Sequence, residues 1–182
     1  EGWRQLGGRL QRVKHAATLA PAPAYIEQFG FYTNPARHRL ANKLKETNSA
    51  LELLDLTPHF VRLRMVKQAP ELAALRSSID LTVKAFKKVS KQLSKYKFEY
   101  EVEADITQIF QKSGIIHAYA PIVAAGQNGC TLHYVVNKGV LANRRLLLID
   151  AGSEVEHYAA DITRTYARGE PTRRQRAIFD AV

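Results

Sequence analysis

Asp150 and Asp161 are the residues of this 182-residue chain best suited to carry chemistry. Asp150 ends the apolar run Leu146-Leu-Leu-Ile and is expected at the buried end of a strand. Asp161 follows Tyr158-Ala-Ala, in what reads as the returning strand. With a turn near Ser153–Glu156, the two carboxylates are expected roughly opposite each other, where Cβ atoms on one sheet face lie about 4.5–5.5 Å apart. Two carboxylates that close in an apolar setting repel, and burying either is costly. A divalent cation relieves both effects, and two cations about 3.5–4 Å apart form a hydrolytic arrangement. Spacing alone leaves a second reading open, in which one Asp makes turn hydrogen bonds and the other pairs with Arg164 or a lysine.

The elements that must position this pair follow from the pattern around it. Ala120 to Ala125, Cys130 to Val136, Leu146 to Asp150 and His157 to Tyr166 are short apolar runs between Gly/Asn-rich turns, and read as strands. Upstream, Pro70 is expected to open a long helix with Leu72, Leu75, Ile79, Val83, Phe86, Val89 and Leu93 inward. A second helix is expected over about Glu99–Lys112, with Val102, Ile106, Ile109 and Phe110 inward and Gly114 as its stop. Pro171 starts another helix, still accumulating apolar residues at Val182. Before residue 56 the expectations are a helix from Trp3 to about Leu19, a helix from Pro35 to about Lys45 and a strand over Leu51–Leu56. The expected division is an upstream domain over 1–56 and a main domain over 57–182.

Four segments carry a family likeness. Asp150-Ala-Gly-x-Glu-x-x-x-Tyr-x-x-Asp-Ile-Thr-Arg-Thr resembles the signature of the pita-bread metallopeptidases, particularly Xaa-Pro aminopeptidase (aminopeptidase P) and prolidase. Ile122-Val-Ala-Ala-Gly-Gln-Asn-Gly-Cys-Thr-Leu-His-Tyr resembles the family segment that ends at its active-site histidine. Gly169 to Val182 is similar to the helix that follows, and Arg64-Met-Val-Lys-Gln-Ala-Pro-Glu-Leu to the start of the catalytic domain. The order of the four matches is the family's order.

The resemblance implies an α/β (α+β) fold: the first half of a pita-bread domain, truncated, preceded by the tail of an amino-terminal domain. It implies two divalent metal ions, most often Mn²⁺, held by two Asp, one His and two Glu. Asp150 and Asp161 match the two Asp, the second bridging both metals. His133 matches the histidine that contacts substrate or the developing tetrahedral intermediate. Thr163 matches a partner of a ligand carboxylate. The implied reaction is metal-dependent hydrolysis of the Xaa-Pro bond at the amino terminus of a peptide. Prolidase-type dipeptide cleavage, a creatinase-like hydrolysis and a non-catalytic binding module on the same fold stay open as alternatives. The remaining His and both Glu belong beyond position 182, so the chain by itself is expected to be inactive, and the parent protein to be a homo-oligomer. Asn143-Arg-Arg in place of Gly-Asp, and Ser94-Lys-Tyr-Lys-Phe-Glu in place of a Pro-Gly turn, depart from the family wording without touching a ligand.

Composition narrows the remaining classes. An apolar share of 46% and a charged share of 24% are those of a folded globular chain. No apolar run reaches the roughly 18–20 residues of a membrane span. Cys130 is the one cysteine, which excludes an internal disulfide and a Cys-based zinc cluster and suits a cytoplasmic protein. The net charge of +10 resides in residues 1–100, with 18 Lys/Arg against 8 Asp/Glu, while residues 101–182 are neutral. The densest basic run, Lys84 to Lys97, falls mostly at helical spacing and reads as a solvated helix face, so nucleic acid is not an expected partner. His117 and His157 read as surface or loop residues, Cys130 as a small buried one, and Tyr134 and Tyr158 as packing residues.

Overall fold

The opening stretch does not stay helical to Leu19. In the computed structural model, which describes residues 2–29, 33–141 and 146–182, helix α1 (Gly2–Leu10) gives way to strand β1 (His15–Thr18). After α2 (Ala24–Gln28) and α3 (Pro35–Thr47) comes strand β2 (Glu52–Asp55), followed by α4 (Thr57–Met65). β1 pairs parallel with β2, from His15↔Glu52 to Thr18↔Asp55. Pairing with a segment more than thirty residues away thus overrides the local helical pattern, as sheet context often does. Leu10, Leu44 and Leu51 form the small core of this part, with Leu6, Ala16, Leu40 and Leu53 against them. By its internal contacts the chain divides into two units, Glu1–Lys67 and Gln68–Val182, so α4 falls in the first.

The second unit begins with α5 (Ala69–Ser90), Pro70 lying in its first turn. Glu71 accepts the Gln68 N–H at 2.7 Å, closing the first turn. The buried face of this helix differs from the expected one. Phe86, Val89 and, just beyond the helix, Leu93 are buried, but Leu72 and Ile79 are exposed; the inward row of the first half is Ala74, Ser78 and Thr82. Small residues at steps of four let another backbone come close, and their hydroxyls supply the bonds that backbone needs.

α6 (Glu99–Lys112) buries Val102, Ile106, Ile109 and Phe110 as expected. It ends where Gly114 takes φ +70°, a conformation only glycine adopts without strain. Strands β3 (Ile116–His117), β4 (Ile122–Ala125), β5 (Leu146–Ala151), β6 (Ser153–Val155), β7 (Tyr158–Ala159) and β8 (Ile162–Ala167) follow, then helix α7 (Arg173–Ala181), capped by Thr172. They form two antiparallel three-stranded sheets, ordered β4-β5-β8 and β3-β6-β7.

Leu147, Ile149 and Ala151 alternate inward along β5 and join Phe86, Val89, Ile106, Phe110, Val123 and Leu141 in the main core. Leu146, Leu148 and Asp150 therefore point to the opposite sheet face. One expected strand is absent. Residues 126–130 make a 3₁₀ turn, and Thr131 to Gly139 forms no strand, with Leu132 85% exposed and His133 and Asn137 at positive φ. The Val and Tyr content of that segment suggested a strand, but its apolar side chains find no core.

Candidate metal centre

The Asp-Ala-Gly sequence has a structural reason that starts at Gly152. A Cβ there would lie 1.7 Å from the Ala160 carbonyl oxygen, so only glycine lets the two Asp-bearing stretches approach this closely. Ser153 then fastens the chain to α5. Its N–H donates to Thr82 Oγ1 at 3.0 Å, its Oγ donates to the Ser78 carbonyl at 3.0 Å, and Ser78 Oγ donates to the Ser153 carbonyl at 2.5 Å. All three side chains are fully buried. The β6–β7 hairpin turns at Glu156 and His157, both at positive φ, and Tyr158 donates its hydroxyl to Glu71 Oε1 at 2.6 Å. Tyr158 is thus a tether to the start of α5 rather than a packing residue.

The register corrects the expected geometry of the pair. Asp150 is opposed by Thr163 on β8 and by Ile122 on β4, not by Asp161. Asp161 lies one residue before β8, diagonal to Asp150. The surroundings also differ from expectation. Asp150 is half-buried and Asp161 exposed, on or beside the sheet face away from the main core.

The carboxylates nevertheless converge. The Tyr119 hydroxyl lies 2.5 Å from Asp150 Oδ1 and 3.0 Å from Asp161 Oδ1. Burial, then the two aspartate bonds, push the Tyr119 phenol far above its ordinary pKa, so it keeps its proton. That single proton serves one carboxylate at a time. Three oxygens therefore face one another, an arrangement that a further positive charge would complete. No ion pair among the described residues supplies it, and Arg164 instead donates Nη1 to the Thr163 carbonyl at 2.7 Å. Among the described residues, neither the pairing with Arg164 nor the turn hydrogen bonds of the alternative reading are seen. Tyr119 was not singled out in the sequence, where only its position three residues before β4 could have drawn notice.

Paired carboxylate oxygens are the donors that hard divalent cations prefer. Among the described residues no third His, Cys, Asp or Glu joins them to complete a metal-binding group. The residues present fit a divalent cation as part of a larger donor set.

The other sequence candidates stand in different relations to the pair. Thr163 shares the sheet face of Asp150 as its cross-strand partner, but no hydrogen bond from its hydroxyl to either carboxylate appears among the described residues. His133 is exposed at φ +54°, with no described bond to either Asp. Cys130 is exposed, not buried. His117 is no surface residue: its Nε2 lies 2.8 Å from Thr107 Oγ1, and its ring packs edge-on against Phe110 at 4.8 Å.

Metallopeptidase family M24 matches this chain over residues 73–182, and the chain belongs to that family. Among curated proteins it is 37% identical over 132 residues to an Xaa-Pro aminopeptidase of Escherichia coli (strain K12). That match covers 71% of this chain and 30% of the relative. It is 36% identical over 133 residues to an Xaa-Pro aminopeptidase of Haemophilus influenzae, covering 72% and 31%. The chain thus spans about a third of the length of these relatives. Among solved structures, proline aminopeptidase P II from Yersinia pestis superposes with a TM-score of 0.74 at 34% identity, covering 99% of this chain and 41% of that one. Aminopeptidase P from E. coli in its low-pH form gives 0.80 at 30%, with the same coverage. The fold is that of an aminopeptidase P over this length, including part of its pita-bread domain.

Proposed function

We propose that this chain supplies the two-aspartate side of a binuclear metal site in an Xaa-Pro aminopeptidase. The observation that carries the reading is the convergence of the Asp150 and Asp161 carboxylates on the Tyr119 hydroxyl. Membership in a metallopeptidase family supports it, and so do relatives that bear the Xaa-Pro aminopeptidase name at 36–37% identity.

Asp150 and Asp161 would hold the metals, with Mn²⁺ the species expected. When bound, the metal pair lowers the pKa of a water and polarises the scissile carbonyl. The Tyr119 hydroxyl limits the rotamers of both carboxylates, so the donor oxygens are oriented before metal arrives. Thr163, paired with Asp150 across the sheet, shapes the same face. His133 contacts the substrate, a peptide with proline second. Two carboxylates offer at most four oxygens, whereas two metals of six-fold coordination need roughly twice as many donors or more. We therefore expect the 182-residue chain on its own to bind metal weakly and to leave substrate uncut.

The test is hydrolysis of an Xaa-Pro peptide by the protein carrying the complete family ligand set, with Mn²⁺, after chelation and after Mn²⁺ is restored. Activity that disappears and returns supports the reading. Cleavage that survives complete metal removal contradicts it.

A further inference from the structure

Glu99 stands in the first turn of α6, where glutamate usually faces solvent and complements the helix dipole. Here it is fully buried. Its carboxylate accepts four hydrogen bonds. Oε1 takes the Ala125 N–H at 2.8 Å and Asn128 Nδ2 at 2.9 Å; Oε2 takes the Tyr134 hydroxyl at 2.8 Å and the Gly139 N–H at 2.6 Å. A carboxylate is buried only when its oxygens are bonded, and bonds to it are stronger than those between neutral groups.

The four donors come from the last residue of β4 and from the beginning, middle and end of the segment that joins it to Leu141. Apart from these bonds and those of Asn137 to Val123, Pro121 and Glu103, little holds that segment. Of residues 126–140 only Asn137 is buried, and Leu132, Val135, Val136 and Val140 are exposed. Its far end is closed against the start of α6 as well: the Glu99 N–H donates to the Gly139 carbonyl at 3.0 Å and the Leu141 N–H to the Lys97 carbonyl at 2.8 Å. Gly139 is required by the same contact, since a Cβ there would lie 2.5 Å from Glu99 Oε1 and 2.7 Å from Asn128 Nδ2. His133 directly precedes Tyr134 and holds φ +54°, a conformation that persists in a non-glycine residue only when its neighbours impose it.

We propose that Glu99 is the positioning residue for the His133 loop, fixing the loop at both ends and, through Tyr134, setting where the imidazole stands. The functional consequence rests on the reading of His133 as a substrate contact; the structural one does not. The experiment compares wild type, Glu99→Gln and Tyr134→Phe by amide exchange and by the NMR signals of the His133 ring. The amides of Leu147 and Ile149 in β5 serve as the internal control. Gln keeps the shape of Glu99 but turns one acceptor into a donor facing donors, so exchange at Ala125 and Gly139 is expected to rise about tenfold or more, with β5 changed less than about twofold. The His133 ring signals move toward those of an unstructured histidine. In Tyr134→Phe, which removes one of the four bonds to Glu99 and the bond from Asn128 Nδ2 to the hydroxyl, the ring signals move while Ala125 and Gly139 change by less than about threefold. Ring signals unchanged in both variants overturn the proposal. So does a loss of protection spread evenly through Gln68–Val182 in Glu99→Gln, if Tyr134→Phe leaves the His133 ring unmoved. Failure of the protein carrying the complete family ligand set to cleave Xaa-Pro peptides with Mn²⁺ removes the functional reading and leaves the loop result standing.

Discussion

Two segments of the second unit carry the proposed site residues, and opposite physics holds them. β5 carries Asp150 on the outer face of a sheet whose inner face, Leu147, Ile149 and Ala151, is locked into the apolar core. The segment from Gly126 to Val140 carries His133 with almost no apolar anchor, and winds instead around the buried carboxylate of Glu99. Hydrophobic burial is non-directional and tolerates substitution of similar volume. A buried polar network is directional, and losing one member strands its partners. The carboxylate pair should therefore respond gradually to core changes, and the His133 loop sharply to single polar ones.

The largest effect should come from the pair itself. Asp161→Asn is expected to lower activity of the complete enzyme by at least about a hundredfold with loss of bound metal, beyond the 10–100-fold typical of groups that only support a ligand. His133→Ala should cost less and leave the metal content intact. Parallel measurement of metal content and turnover decides it, and an Asp161 variant that keeps both rejects the ligand role.

Next in size are three substitutions that separate the two kinds of anchor. Gly152→Ala forces a Cβ into the Ala160 carbonyl and should destabilise the second unit by about 3 kcal/mol or more, as severe overpacking does. Ile149→Ala should cost about 2–5 kcal/mol by leaving a cavity under β5, again unfolding the unit as a whole. Asn137→Ala should act locally. Its side chain accepts the Val123 N–H and donates to the Pro121 carbonyl and to Glu103, each at 2.9 Å. About 1–3 kcal/mol is expected, seen first as faster exchange in the loop. Denaturant titration read beside amide exchange distinguishes global from local loss. If Asn137→Ala and Ile149→Ala give the same pattern, the contrast drawn between the segments is wrong.

The smallest expected effect is a pH dependence from His117. Burial lowers its pKa, an effect the nearby Glu103 carboxylate only partly opposes, and its buried Nδ1 has no hydrogen-bond partner among the described residues. The neutral ring is favoured in the folded state, so the unfolded chain binds the proton more readily. Stability is then full above the ordinary histidine value of about 6.5 and falls as pH drops from there toward the lowered folded value. Unfolding midpoints at neutral and mildly acidic pH should diverge more for wild type than for His117→Gln. An equal acid response in both assigns the dependence to other groups.

What the sequence revealed and what it hid divide along the same line. The helical period of α6 and the apolar run of β5 report burial directly, and both lie where the pattern puts them. The signature words around Asp150 and Asp161 drew notice to two carboxylates that meet at the Tyr119 hydroxyl, in a register other than the expected one. Glu99 was invisible because a glutamate in a first helical turn looks like a solvent-facing residue, and its partners lie 26 to 40 residues away. Missing it made Cys130 to Val136 read as a strand. The inward row Ala74, Ser78, Thr82 was hidden for a related reason. Its value depends on Ser153, more than seventy residues on, whereas the apolar pattern favoured Leu72 and Ile79.

The most direct test of the carboxylate pair is a Mn²⁺ titration of this chain followed by NMR, because a paramagnetic ion broadens nearby signals even when it binds weakly. Signals of Tyr119, Asp150, Asp161 and Thr163 should broaden first, and Asp161→Asn should abolish that selectivity. Broadening that begins elsewhere, or is unchanged by Asp161→Asn, would contradict the assignment of this pair as the metal-binding carboxylates.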